Sequence, residues 1–451
     1  MRFIFLLLII PYIVKAQHFQ VTEKNRIDNV IQYSGNKIII LDFYTEWCGP
    51  CKRMDKEVLV DTTISRLINT NFILLKVDAE KGYGIILSKK YNVTSYPTYV
   101  FLNSNATPIY KTNGFISPNK FLTQLGYAIS ESREKTTIDK LDSLYFYNQY
   151  NTSFLYEYLC RRTRLRLDNS DLLDRYIALL PGIEKNRNEN LQLIINNGDR
   201  ISKSLQIGPS LELLVSNSDK LKDFEGAFGI DFYIDNAKQK TLKKSIEFKS
   251  DSLLNIVIKN TKAGDIFDNE YTIKLEYFSN LNDIKSYLKC VNEFFDSSLA
   301  KYTINKMAIM DSIVYAKILS SDDFKNAPEE EQKEVRSEYK RTQSVRFIRL
   351  YNSINDYLVK NLIDKNDLLK IKKWAQFSLQ ICKVDTLYFR FLYPHSLNTY
   401  AVILYKIGQK KDAISHLKQA ILFGSKVESD DVKVYKSQLN KMLSNKSILS
   451  W

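Results

Sequence analysis

The spacing of apolar residues changes along this chain, and the change separates a strand-and-helix segment from a longer helical one. Lys37 to Phe43 (KIIILDF) is a nearly continuous apolar run of strand length. A short polar turn follows, and then Met54, Val58 and Leu59 recur among charged residues at helical spacing. Leu74 to Glu80 (LLKVDAE) and Tyr99 to Leu102 (YVFL) read as further strands, and Phe121 to Ile129 (FLTQLGYAI) as the helix that closes this segment. A charged stretch from Ser130 to Lys140 marks a boundary. Beyond it, runs such as FLYEYL, DLLDRYIALL, LQLIINN and LNDIKSYLKCVNEFF place apolar residues three and four apart between short polar turns, which predicts helical hairpins. Only 9 prolines and 14 glycines are available, too little punctuation for an all-β chain of this length.

The first residues carry a different signal. Arg2 precedes an apolar run from Phe3 to Val14 that contains Pro11, and Val14, Lys15 and Ala16 offer an acceptable cleavage site. A bilayer span needs about 20 apolar residues, so residues 1–16 are expected to be a cleaved signal peptide rather than an anchor. The mature chain would then begin at Gln17 without a cysteine to accept a lipid, and would be exported, periplasmic, with no stable membrane span.

Length and composition narrow the remainder. A chain of 451 residues with 44% hydrophobic positions is sized for two or three domains with cores of their own. The net charge of +14 arises from basic residues interleaved with 51 acidic ones, the pattern of solvated faces; together with the expected export, this argues against a nucleic-acid partner. The 3 histidines, His18, His395 and His416, have no ligand spacing with any cysteine pair, which disfavours a metal centre or a Cys-His hydrolase. Of 5 cysteines, Cys160, Cys290 and Cys382 are scattered singly in apolar helical patterns and are expected to be buried thiols, with a disulfide between two of them left open.

Cys48 and Cys51 are the chemically informative pair. They lie one helical turn apart at the start of a helix that follows an apolar strand, where unpaired N–H groups and the positive end of the helix dipole favour a thiolate. Cys48, at the helix N-terminus and expected to be exposed, is the candidate nucleophile. Asp42, inside the apolar run, is costly there unless it is hydrated or has work to do. Lys76 reads either as a cation near that acid or as a solvated strand lysine.

The segment Trp47, Cys48, Gly49, Pro50, Cys51, Lys52 after LDF resembles the active site of the thioredoxin superfamily. SYPT (Ser95 to Thr98) resembles the cis-proline loop of that family, with Pro97 as the proline, and Gly114 resembles the glycine of its closing hairpin. The resemblance covers about Gln17 to Ser130, and the stretch from Asp55 to Thr98 is more similar to the periplasmic, reductase-side branch than to small cytosolic thioredoxin. It implies an α/β thioredoxin fold, a central mixed sheet flanked by helices, over residues 17–132; the helical spacing beyond it predicts a mostly α-helical domain over 133–451. The resemblance also implies a redox-active disulfide between Cys48 and Cys51, Asp42 as proton acceptor for Cys51, and Pro97 holding the substrate strand. Trp47, Gly49, Pro50 and Tyr96 would contact substrate, and Tyr96 departs from the smaller residue usual before the proline. No cofactor or metal is expected. The expected partners are disulfide-containing exported proteins and a membrane electron donor.

Within the helical part, residues of about 394–427 resemble a tetratricopeptide repeat, with Ala401, Gly408, Ala413 and Ala420 where that repeat has small residues. Helices are predicted at about 396–407 and 411–423, turning at Gly408, and Lys372 to Ile381 resembles the second helix of a preceding repeat. A solenoid would offer a concave face to a protein partner. The function expected is therefore an exported thiol-disulfide oxidoreductase, a reductase of protein disulfides. The alternatives are a docking scaffold with a thioredoxin-like binding module, or a disulfide isomerase.

Overall fold

The computed structural model of the chain describes residues 18–21, 27–134, 136–200, 202–224, 226–261, 265–297, 299–362 and 364–444; the expected signal segment 1–16 lies outside them. Strand β1 (His18–Gln20), helix α1 (Ile27–Tyr33) and strand β2 (Ile38–Tyr44) come first. They are followed by helix α2 (Gly49–Arg53), a π-helical turn (Met54–Val58), helix α3 (Thr62–Asn71), strand β3 (Phe72–Asp78) and helix α4 (Tyr83–Lys90). Strands β4 (Thr98–Leu102) and β5 (Pro108–Asn113) and helix α5 (Pro118–Ser132) complete the mixed α/β part.

The five strands lie in the order β1-β3-β2-β4-β5, with β2 parallel to β3 and antiparallel to β4. Both faces of β2 are covered, which is why its sequence runs apolar without alternation. Ile38 and Ile40 point into one core with Met54, Val58, Phe101 and Phe121, while Ile39, Leu41 and Phe43 point into the other with Leu75, Val77 and Leu87. Asp42 therefore falls on the face of Ile38 and Ile40, beneath the segment that carries the cysteines. The turn between β3 and α4 depends on Gly84: a Cβ there would stand 1.9 Å from the Asp78 carbonyl oxygen, so only glycine fits.

The described chain forms two compact units that divide between Lys240 and Thr241. The change from mixed α/β to helix, which the sequence reading puts at 132/133, lies inside the first. Helices α6 (Ile138–Tyr145) and α7 (Thr152–Arg164) follow α5, and the Glu131 carboxylate near the end of α5 is buried against two guanidinium groups of α7. Arg161 approaches it at 2.7 Å and Arg164 pairs with its other oxygen. Breaking a buried pair of this kind leaves an uncompensated charge, at a cost of about 3–5 kcal/mol.

The second unit is helical, with a large apolar core. Near its C-terminal end the helices Tyr393–Lys406 and Lys410–Lys426 form a hairpin. Gly408 turns the chain at φ +94, a conformation that L side chains rarely adopt. Ala401, Ala413 and Ala420 are fully buried in this hairpin, where larger side chains would hold the helices apart. Among the described residues, no helix is long and apolar enough to cross a membrane.

Candidate active site

Strand β2 ends at Tyr44, and a four-residue turn delivers Cys48 to the N-cap of α2. Gly49 and Pro50 occupy the first helical positions, where the missing proline N–H costs nothing. Cys48 and Cys51 are joined in a disulfide with Cα atoms 5.3 Å apart, and the Cys51 N–H donates to Cys48 Sγ at 3.1 Å. That N–H is one of the orphan donors of a helix start, satisfied here by sulfur.

Cys48 is buried, at 2% exposure, where the sequence reading has it exposed. Its sulfur turns inward toward Cys51 and the helix N–H, so the exposed positions of the turn are Trp47, Gly49 and Pro50 instead. Trp47 is 68% exposed. Its indole N–H donates to both Glu80 carboxylate oxygens, at 3.1 and 3.0 Å, and the neighbouring Glu46 pairs with Lys81. The loop before the dithiol is thus tied to the turn after β3.

The Tyr96–Pro97 peptide is cis. Three contacts hold its loop: Gly114 N–H donates to the Pro97 carbonyl at 2.8 Å, Asn113 Nδ2 to Ser95 Oγ at 2.7 Å, and Thr98 Oγ1 to the Ser95 carbonyl at 2.6 Å. The rings of Trp47 and Tyr96 meet edge to face with centroids 6.0 Å apart. Since these are the chain neighbours of Cys48 and Pro97, the proline loop stands beside the dithiol.

Beneath α2 lies a row of polar side chains across the sheet. In the strand register Asp42 is opposite Lys76 on one side and Tyr99 on the other. Asp42 is 1% exposed and accepts from Lys76 Nζ at 2.9 Å. The same ammonium donates to Asp55 Oδ1 at 2.6 Å. Burial alone pulls the Lys76 pKa down, but the charges and hydrogen bonds of Asp42 and Asp55 together outweigh it and the net shift is upward. Burial, and after it the charges of Asp42 and Asp55, push the Tyr99 phenol well above its ordinary value. Asp55 lies four residues beyond Cys51, on the π-helical turn that continues α2, and its link to Lys76 ties that turn to the strands that hold Asp42 and Lys76.

Of the residues singled out from sequence, Trp47, Cys48, Gly49, Pro50, Cys51, Tyr96 and Pro97 surround the disulfide, and Asp42 and Lys76 lie below it. Lys76 takes the buried of its two readings. Asp55, Glu80 and Tyr99 were not legible as site residues. Glu80 and Tyr99 read only as residues of strands, and Asp55 only as one residue of the family-like stretch. Cys160, Cys290 and Cys382 are free thiols, and burial pushes Cys290 and Cys382 up to about 12, far from thiolate chemistry.

Residues 28–129 match the family model described as a thioredoxin-like domain. Thioredoxin-1 of Drosophila yakuba is 41% identical over 75 residues, which is 17% of this chain and 65% of that protein. The thiol:disulfide interchange protein DsbD of Yersinia pestis is 32% identical over 116 residues, 25% of this chain and 20% of that one. The chain therefore spans less than two thirds of these relatives. Among solved structures, a candidate disulphide-isomerase from Bacteroides thetaiotaomicron is 31% identical and covers 26% of this chain and 93% of its own, with a TM-score of 0.23. Sheet order, disulfide and family match agree that this chain contains a thioredoxin-like domain at residues 28–129.

Proposed function

We propose that the chain is an exported thiol-disulfide oxidoreductase that reduces disulfides in other exported proteins. The observation that carries the reading is the Cys48–Cys51 disulfide at the N-cap of α2, above a buried carboxylate and beside the cis-proline loop. In the reduced enzyme the Cys48 thiolate attacks a client disulfide, forming a Cys48–client bond and releasing one client thiolate. Cys51 then passes its proton to the Asp42 carboxylate and attacks Cys48 Sγ. The Cys48–Cys51 bond forms, the Cys48–client bond breaks, and the second client thiolate leaves and is protonated from solvent. Two electrons pass from the enzyme dithiol to the client.

Pro97 and its neighbours present the client strand to Cys48, and Trp47 and Tyr96 flank it. The Gly-Pro pair between the cysteines favours the reducing end of the family, near the thioredoxin value of about −270 mV rather than the strong-oxidant value of about −120 mV. Turnover then requires an electron donor across the membrane. The apolar run at residues 3–14 and the similarity to DsbD support an extracytoplasmic setting. The helical region is the candidate surface for a protein partner.

The test is catalytic reduction of a protein disulfide by the mature chain with dithiothreitol as donor. Wild-type turnover that Cys48→Ser abolishes supports the reading. Undiminished turnover in Cys48→Ser removes Cys48 as nucleophile.

A further inference from the structure

Lys76 does not serve Asp42 alone. Its ammonium sits between two carboxylates, 2.9 Å from Asp42 Oδ2 and 2.6 Å from Asp55 Oδ1, so the shorter contact goes to the residue outside the sheet. The two acids differ in setting: Asp42 is buried on β2, whereas the Asp55 side chain is 45% exposed on the π-helical turn that continues α2. The ammonium is thus shared between the helix turn and the buried acid rather than committed to Asp42. The other groups facing the cluster are the ring of Tyr44, 5.2 Å from Lys76 Nζ, and the Tyr99 phenol across β2; Cys51 lies on α2, which the π-helical turn of Asp55 continues.

We propose that Asp55 is a positioning residue of the dithiol site: by holding Lys76 it sets how readily Asp42 accepts the proton of Cys51. Lys76 unopposed would stabilise the Asp42 carboxylate and the Cys51 thiolate alike. Asp55, tethered at 2.6 Å, shares the ammonium and leaves the Asp42 carboxylate less neutralised, so that the thiol whose proton Asp42 takes resists losing it. The tether fixes the distance between this partly exposed charge and the buried pair. Asp55 thereby holds Cys51 protonated until a mixed disulfide calls for the resolving attack. It touches neither client nor sulfur in this role and works through Lys76.

This inference rests on Asp42 acting as the proton acceptor, but its test does not need turnover. The reduced full-length chain, labelled with carbon-13 at cysteine Cβ, is titrated by NMR and the pH midpoint of Cys51 is read directly. Asp55→Asn should lower that midpoint by about 0.5–1 unit, Asp55→Glu should restore the wild-type value, and Lys76→Met should raise it. In the Lys76→Met background, Asp55→Asn should move the midpoint by less than about 0.2 unit, because the tether is gone. An Asp55→Asn midpoint equal to wild type overturns the proposal, and so does an equal fall with Lys76 removed. The comparison of Asp55→Asn with Asp55→Glu decides the claim even where Lys76→Met does not fold. A chain that fails to reduce a client while showing these midpoints refutes the proposed function and leaves the Asp55 assignment standing.

Discussion

Trp47 and Tyr96, one preceding the first cysteine and the other the cis-proline, meet edge to face at 6.0 Å although 48 positions separate them in the chain. The contact joins the two loops that border the disulfide, and the Glu80 carboxylate holds the indole from the far side. An extended client strand laid beside Pro97 would pass along these rings.

Tyr96→Ser should therefore weaken protein clients selectively. Loss of one aromatic contact is worth about 0.5–1.5 kcal/mol, so kcat/KM for a protein disulfide should fall about 2–12-fold. Reduction of a small aromatic-free disulfide should be unchanged. Stopped-flow rates on the two substrates distinguish this from a general loss of reactivity, in which both fall together.

The buried Asp42–Lys76 ion pair also bears on stability. Lys76→Met leaves a buried carboxylate without its cation and should destabilise the first unit by about 3–5 kcal/mol in urea unfolding. Asp42→Asn combined with Lys76→Met should recover most of that loss, because no uncompensated charge remains. A double variant as unstable as the single one would mean that Lys76 contributes by packing alone.

Tyr99 presents the opposite case. It is fully buried against Phe121, and its hydroxyl has no hydrogen-bond partner among the described residues. Tyr99→Phe removes that desolvated group and keeps the ring. It should raise stability by about 1 kcal/mol, visible as a higher denaturant midpoint with unchanged slope. A loss of stability would show that the hydroxyl is paired in solution.

In the second unit His395 Nε2 lies 2.6 Å from Asp356 Oδ2, and Thr399 donates to the other carboxylate oxygen at 2.6 Å. Burial pulls the imidazole pKa down, but the hydrogen bond and charge of Asp356 outweigh it and raise it above 6.5. A raised folded pKa contributes stability that is fully present below the unfolded value and is lost as pH rises through the folded one. The unfolding temperature of the wild-type chain should accordingly fall as pH rises above about 6.5, and His395→Gln should flatten that slope. Parallel slopes in the two proteins would exclude His395 as its source.

Much of the dithiol site was legible because its residue types are demanding. Few sequences place Trp-Cys-Gly-Pro-Cys after an apolar strand, and an acid at Asp42 stands out against its apolar neighbours. Three features were not legible, each for a physical reason. The burial of Cys48 depends on its sulfur turning toward the Cys51 N–H, which spacing does not reveal. The link from Asp55 to Lys76 joins a helix turn to a strand across a sequence separation of 21, and an exposed helical acid looks like any solvated charge. The ion pairs of Glu131 with Arg161 and Arg164 tie α5 to α7 inside the first compact unit, and a pairing so distant in the chain leaves no local pattern. From sequence alone, the charged stretch that contains Glu131 reads as a domain boundary.

If Cys48 attacks and Cys51 resolves, the mixed disulfide between those steps can be trapped. Reduced Cys51→Ala, mixed with a protein carrying one disulfide and quenched in acid, should accumulate a covalent adduct that peptide mass mapping locates on Cys48 and that dithiothreitol releases. An adduct on Cys160, Cys290 or Cys382, or no adduct while the client is still reduced, would contradict the account.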